Sequence, residues 1–160
     1  MIMDKQLMFE EAVSMIGGKF AVGTQLSTNT IDLRASGLIP GPGNTAGNGV
    51  ISDPGRNWNG LKVFAQIVTT CTSGGATPTT IRVVTADDAA LSTNLTIIQE
   101  TTTIALATMV AGYQFRFDEL PPGITQRFLG LQYTVGTTTF TAGAFTAGLL
   151  VDKQTAASVL

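Results

Sequence analysis

From Thr24 onward, apolar and polar positions alternate with a period of two, the repeat of a strand with one face buried and one face wet. "STNTIDL" (Ser27 to Leu33) is the first such stretch. "LKVFAQIVTTC" sets Leu61, Val63, Ala65 and Ile67 against Lys62, Phe64, Gln66 and Val68. "TIRVV" opposes Ile81 and Val83 to Arg82 and Val84, and "LTIIQ" repeats the pattern around Leu95 and Ile97. "TIALATM" follows, and then "YQFRF", with Tyr113, Phe115 and Phe117 on one side. "LGLQYTV" aligns Leu129, Leu131, Tyr133 and Val135, and "FTAGLLV" aligns Phe145, Ala147, Leu149 and Val151. About eight strands, spaced roughly ten to twenty residues apart, predict an all-β fold. Antiparallel pairing with one buried face gives a two-sheet β-sandwich, and an eight-strand jelly roll is its leading topology.

Two stretches depart from this rhythm. In Met1 to Gly18, Leu7, Met8, Ala12, Met15 and Ile16 fall near one side of a helix, with Asp4 as its N-cap and Gly17-Gly18 as its stop. So short a segment is unstable alone and needs a surface to pack on. The expected layout is a short N-terminal arm or helix over residues 1–20 and a single jelly-roll domain over 21–160. The second exception is Arg34 to Gly60, "RASGLIPGPGNTAGNGVISDPGRNWNG", a long Gly/Pro-rich loop without periodicity that contains the only tryptophan, Trp58.

Composition narrows the function classes. The chain has 160 residues, of which 12% are charged, about half the usual share. Its formal charge of −2 gives no electrostatic basis for nucleic-acid binding. So sparse a charge is expected to leave surface that is covered by assembly with other chains. Acids stand near the N-terminus where a signal peptide carries bases, and no stretch reaches the ~18 consecutive apolar residues of a membrane helix. No membrane partner is expected. Cys71 is the single cysteine and reads as a small buried hydrophobe. Synthesis and first folding in a cytoplasm are expected.

Candidate chemistry is thin. There is no histidine, so the commonest general base and the Ser-His-Asp and Cys-His arrangements are missing. The paired acids Asp87-Asp88 and Asp118-Glu119 lie between strands, where acids decorate turns. "GPGNTAGNG" lacks the Lys-Ser/Thr ending of a phosphate loop. No catalytic residue, cofactor or metal is expected, and the chain reads as a non-enzyme. Arg116 and Arg127, on or beside strands, are either pairing sites for a partner's acids or solvated strand charges.

Four segments carry a resemblance: "MIMDKQLMF", "STNTIDL", "ATMVAGYQFRFDELPPGITQRFLGLQYTV" from Ala107, and "FTAGAFTAGLLVDKQ" from Phe140. In this order and spacing the chain resembles the capsid cement (decoration) proteins of tailed bacteriophages with a single jelly-roll domain. The resemblance implies a structural virion protein, made in the host bacterial cytoplasm and placed on the outer capsid surface. It also implies binding to the major capsid protein, bridging of neighbouring subunits and homo-oligomerisation, with a dimer favoured over a trimer. The stretch from Ala35 to Asn59 is longer than the family's usual link between the first two strands. The expected contacts are Leu7, Met8 and Phe9 of the arm, Trp58 of the loop, and Arg116 and Arg127. The alternative is a carbohydrate-binding jelly-roll module recognising host-surface glycans. Only two tyrosines and one tryptophan stand in its favour.

Overall fold

Nine β-strands build the computed structural model, which describes residues 7–15, 20–34, 61–75 and 77–151. Strand β1 (Met8–Ser14) pairs with β9 (Phe140–Val151). Strands β2 (Gly23–Leu26) and β3 (Ile31–Asp32) both pair with β8 (Phe128–Val135). Inside them, β4 (Leu61–Ser73) pairs with β7 (Gln114–Phe115), and β5 (Thr79–Ala86) with β6 (Thr96–Glu100). All these pairs are antiparallel, and they are nested like the arms of one long hairpin. Rolling that hairpin sets β9 beside β4 and β8 beside β5. Two sheets result, ordered β1-β9-β4-β7 and β2-β8-β5-β6, with β3 continuing β2 along β8. Taking β2 and β3 as one interrupted strand, this is the eight-strand jelly roll that the period-two pattern predicts.

The inner faces of both sheets form one core. Leu61, Val63, Ala65 and Ile67 are buried, as their alternation requires, and Leu129, Leu131, Tyr133 and Val135 face them from the other sheet. Phe145 sits at the centre of an aromatic cluster, with ring centroids 5.8 Å from Phe20, 5.8 Å from Phe115 and 5.6 Å from Tyr133. All three contacts are edge-to-face, the arrangement favoured by the ring quadrupole. A smaller cluster of Val84, Ala86 and Leu91 packs separately, with Leu26, Leu95 and Phe128 against it.

The N-terminal segment corrects the sequence reading. Met8–Ser14 is an edge strand rather than a helix. Its pairing slips between Met8 and Glu10 and again between Glu10 and Val13, and Ala12 has φ 47°. Such bulges destroy the period-two signal, and the residues left over mimic a helical stripe. The open edge of β9 supplies the hydrogen bonds that decide the matter, overriding a weak local preference. Four sequence features also end differently from their expectation. "STNTIDL" is not one strand: the chain leaves the ladder between Leu26 and Ile31. Ser27 remains tied to β8, its N–H donating to Leu131 O and its hydroxyl accepting from Leu131 N.

"TIALATM" is not a strand either. Leu106–Thr108 forms a 3₁₀ turn, and Ile104 makes only an isolated bridge to Thr79. This is where the chain crosses from the second sheet to the first, so it must turn. In β6 a register shift opposite Val83 and Val84 turns Ile98 toward the core and leaves Ile97 46% exposed. "YQFRF" keeps its alternation, with Phe115 buried and Tyr113 and Phe117 packed partly on the core, but only Gln114–Phe115 pairs as a strand. At Pro121-Pro122-Gly123, Gly123 has φ 95°, the left-handed turn conformation expected of it. Trp58 and nearly all of the Arg34 to Gly60 loop lie outside the described residues.

Candidate functional site

Glu10 is a charged residue with no exposed surface. One carboxylate oxygen, Oε1, accepts from Thr28 N at 2.7 Å and from the Tyr133 hydroxyl at 3.3 Å. The other, Oε2, accepts from Thr28 Oγ1 at 2.6 Å. Sequence reading missed this site, because the β1 bulges place Phe9 and Glu10 inside together and no alternation marks the acid. The excursion of the chain between β2 and β3 has a local cause here: it brings Thr28 over the carboxylate. Burial first, then the Glu10 charge and the hydrogen bond, hold the Tyr133 phenol far above its usual range, so it remains a donor. With Thr28 and Tyr133 as its donors, this buried acid is a brace between β1, the β2–β3 connection and β8.

Cys71 is likewise sealed. Its Sγ lies 3.2 Å from Met15 Sδ, and burial pushes its thiol up to about 11. Gly143, at φ 140°, makes this sulfur contact possible, since a Cβ there would lie 2.8 Å from Cys71 Sγ and 3.1 Å from Met15 Sδ. The folded protein is therefore expected to resist a thiol-specific reagent at pH 8 and to react with one equivalent only when unfolded. Prompt labelling of the native chain would show Cys71 to be an accessible thiol instead.

The two arginines differ. Arg127 grips Asp32 with both ends of its guanidinium, Nε to Oδ1 at 3.0 Å and Nη2 to Oδ2 at 2.7 Å, and lies over the Phe128 ring. Asp32 also accepts from Arg34 N, and the Arg127 bond leads the causes that hold its carboxyl below the usual value. Arg127 is thus engaged within its own chain, fastening β3 to β8. Arg116 is exposed and has no ion-pair partner among the described residues. It lines an open cleft of about 700 Å³ between the ends of β6 and β7, with Glu100, Tyr113 and Gln114 also on its walls. A smaller hollow of about 220 Å³, lined by Gln99 and Asp118, shares Glu100 and Arg116 with it.

Other predicted positions fall elsewhere. Met8 and Phe9 are buried, Phe9 completely, and Leu7 packs partly against the core. Residues 8–14 therefore belong to the sandwich. Removing Met1 to Gly18 would take out a strand, Phe9 and Glu10 together, so that deletion does not leave the domain intact. The acids of the 87–88 turn have local partners: Asp88 accepts from Thr93 and Ser92, which hold it down to about 2, and Asp87 accepts from Asn94. Among the described residues no group of three metal-ligating side chains comes together.

The sequence model of the Bbp16 family matches residues 17–149. The chain belongs to the Bbp16 family. The name is a phage-related one, and the match runs across β2 to β8 and most of β9, leaving β1 ahead of it. No curated protein matches the chain. In this Bbp16 member, the matched span holds Tyr133, the Asp32–Arg127 pair and the β6–β7 cleft, whereas Glu10 lies before it.

Proposed function

We propose that this chain is a capsid cement protein, which binds the outside of a phage shell built of major capsid protein, bridges neighbouring subunits and stabilises the lattice. Membership of the Bbp16 family over residues 17–149 is the observation that carries this reading. The architecture supports it. Strands β4 and β9 run side by side from Leu61 opposite Val151 to Ser73 opposite Phe140, and rupturing such a ladder in shear breaks many hydrogen bonds together. A protein that binds only the assembled shell stabilises it by mass action. A homo-oligomer, a dimer ahead of a trimer, would multiply the effect by tethering, since each arm is held near its site by the others. With a formal charge of −2, such binding would depend little on long-range attraction that salt screens. The chain performs no chemistry in this reading.

Co-sedimentation with purified shells of the phage's major capsid protein tests the proposal. Saturable binding at a fixed ratio to capsid subunits is expected, together with a higher disruption temperature for decorated shells. Recovery of the protein wholly in the supernatant would refute it.

A further inference from the structure

The two sheets end on the same side in strands that, among the described residues, each have a single neighbour, β6 beside β5 and β7 beside β4. Edge strands present unpaired backbone donors and acceptors, which natural proteins cover or use for recognition. The cleft of about 700 Å³ opens between these two edges, walled by Glu100, Thr101 and Thr102 on one side and Gln114, Phe115 and Arg116 on the other. It continues into the hollow beside Gln99 and Asp118, which makes a trough rather than a closed pocket.

We infer that this trough receives an extended peptide segment of the shell protein, carrying an acidic side chain that pairs with Arg116. This rests on the cement reading and names the part of the partner that the surface fits. Three observations support it. Two sheet edges flanking one trough suit a ligand that offers main-chain N–H and C=O groups along its length, the mode of strand addition. Tyr113 and Phe115, in edge-to-face contact at 5.2 Å, supply apolar wall for a side chain that points inward.

The charge pattern is the third observation. Glu100 is already engaged by Arg82, whose Nη2 donates to Glu100 Oε1 at 3.3 Å while its Nε lies 3.0 Å from Oε2, out of line for a hydrogen bond. Among the described residues Arg116 has no ion-pair partner, and Asp118, although it lines the smaller hollow, makes no ion pair with it. Gln99 stiffens the smaller hollow, its amide nitrogen clamped by the carbonyls of Asp118 and Glu119 at 3.1 and 2.9 Å. A trough with a cation unpaired among the described residues lacks a complement that an acid-bearing peptide would provide.

The test compares hydrogen–deuterium exchange of the free chain with that of the chain bound to purified shells, and measures the binding of Arg116→Glu and Arg116→Lys. Slower exchange is expected at residues 96–102 and 112–116 on binding. Arg116→Glu should weaken shell binding about tenfold with the thermal midpoint unchanged, and Arg116→Lys should retain most of it, as expected for an exposed ion pair that sets specificity. If the wild-type chain binds shells while the trough residues exchange as fast as before and Arg116→Glu binds normally, the trough assignment fails and the cement reading stands. If the wild-type chain does not bind shells, both fail.

Discussion

Phe145→Ala is expected to lower the unfolding free energy by about 4 kcal/mol, the loss usual for a large aromatic removed from a closely packed core. The reason is its position. The ring contacts Phe20, Phe115 and Tyr133, which come from three separated parts of the chain and from both sheets. Truncation opens a void that the flanking strands cannot close, because β9 is held on both sides by β1 and β4. Urea unfolding followed by fluorescence gives the value. Phe64→Ala is the control: this side chain is on the other face of β4 and half-buried, and its loss should cost about 1 kcal/mol by the area it covers. Equal losses for the two variants would mean that the aromatic cluster is not the centre of the core.

Glu10→Ala should cost about 3 kcal/mol, because it strips a buried carboxylate from donors that then have no acceptor. Thr28 N, Thr28 Oγ1 and the Tyr133 hydroxyl are all left facing the gap. Glu10→Gln keeps one carbonyl oxygen for Thr28 N and Tyr133 and replaces the other oxygen by an NH₂ group. Thr28 can meet that group by turning its hydroxyl to accept, so about half the loss should return. Chemical denaturation of both variants, with faster hydrogen exchange at Asn29 in the alanine variant, gives the readout. Asn29 N donates to Phe9 O, so that bond reports directly on whether β1 stays seated. A loss below about 1 kcal/mol for the alanine variant would mean that β1 is held by its pairing with β9 alone.

The strength of the brace bears on function. In the proposed cement role the protein must not rearrange under outward strain, yet β1 is an edge strand whose short ladder with β9 slips twice. Glu10 compensates by tying that strand to β8 in the opposite sheet through Tyr133, and to the β2–β3 connection through Thr28. The two sheets are thereby joined by a directed polar contact as well as by apolar packing. Neither alone fixes register so firmly, since apolar contacts tolerate slippage while a buried carboxylate does not.

How much of this was legible in the residues varied with the element. Where a strand has one neighbour sheet below it and no bulge, alternation identified the inward set: Leu61 to Ile67 in β4 and Leu129 to Val135 in β8 point as their spacing requires. Where a register slips, it misled. Ile97 reads as a core position and is exposed, because one shift at Val83 and Val84 passes the inward role to Ile98. The surface residues divide in the same way. Arg116 and Arg127 look alike along the chain, but Asp32 engages one and leaves the other to the trough. Asp32 and Arg127 stand far apart in sequence, and only the pairing of β3 with β8 sets them together.

The residues alone determined that this is a two-layer antiparallel protein without histidine chemistry, because period-two burial is a local property that each strand carries in its own side chains. Tertiary structure decided the rest: that the N-terminal stretch is a strand, that Glu10 is a brace, and that two strand ends frame a trough. Each of these depends on which distant segment supplies the missing hydrogen bonds, and local spacing does not encode that choice.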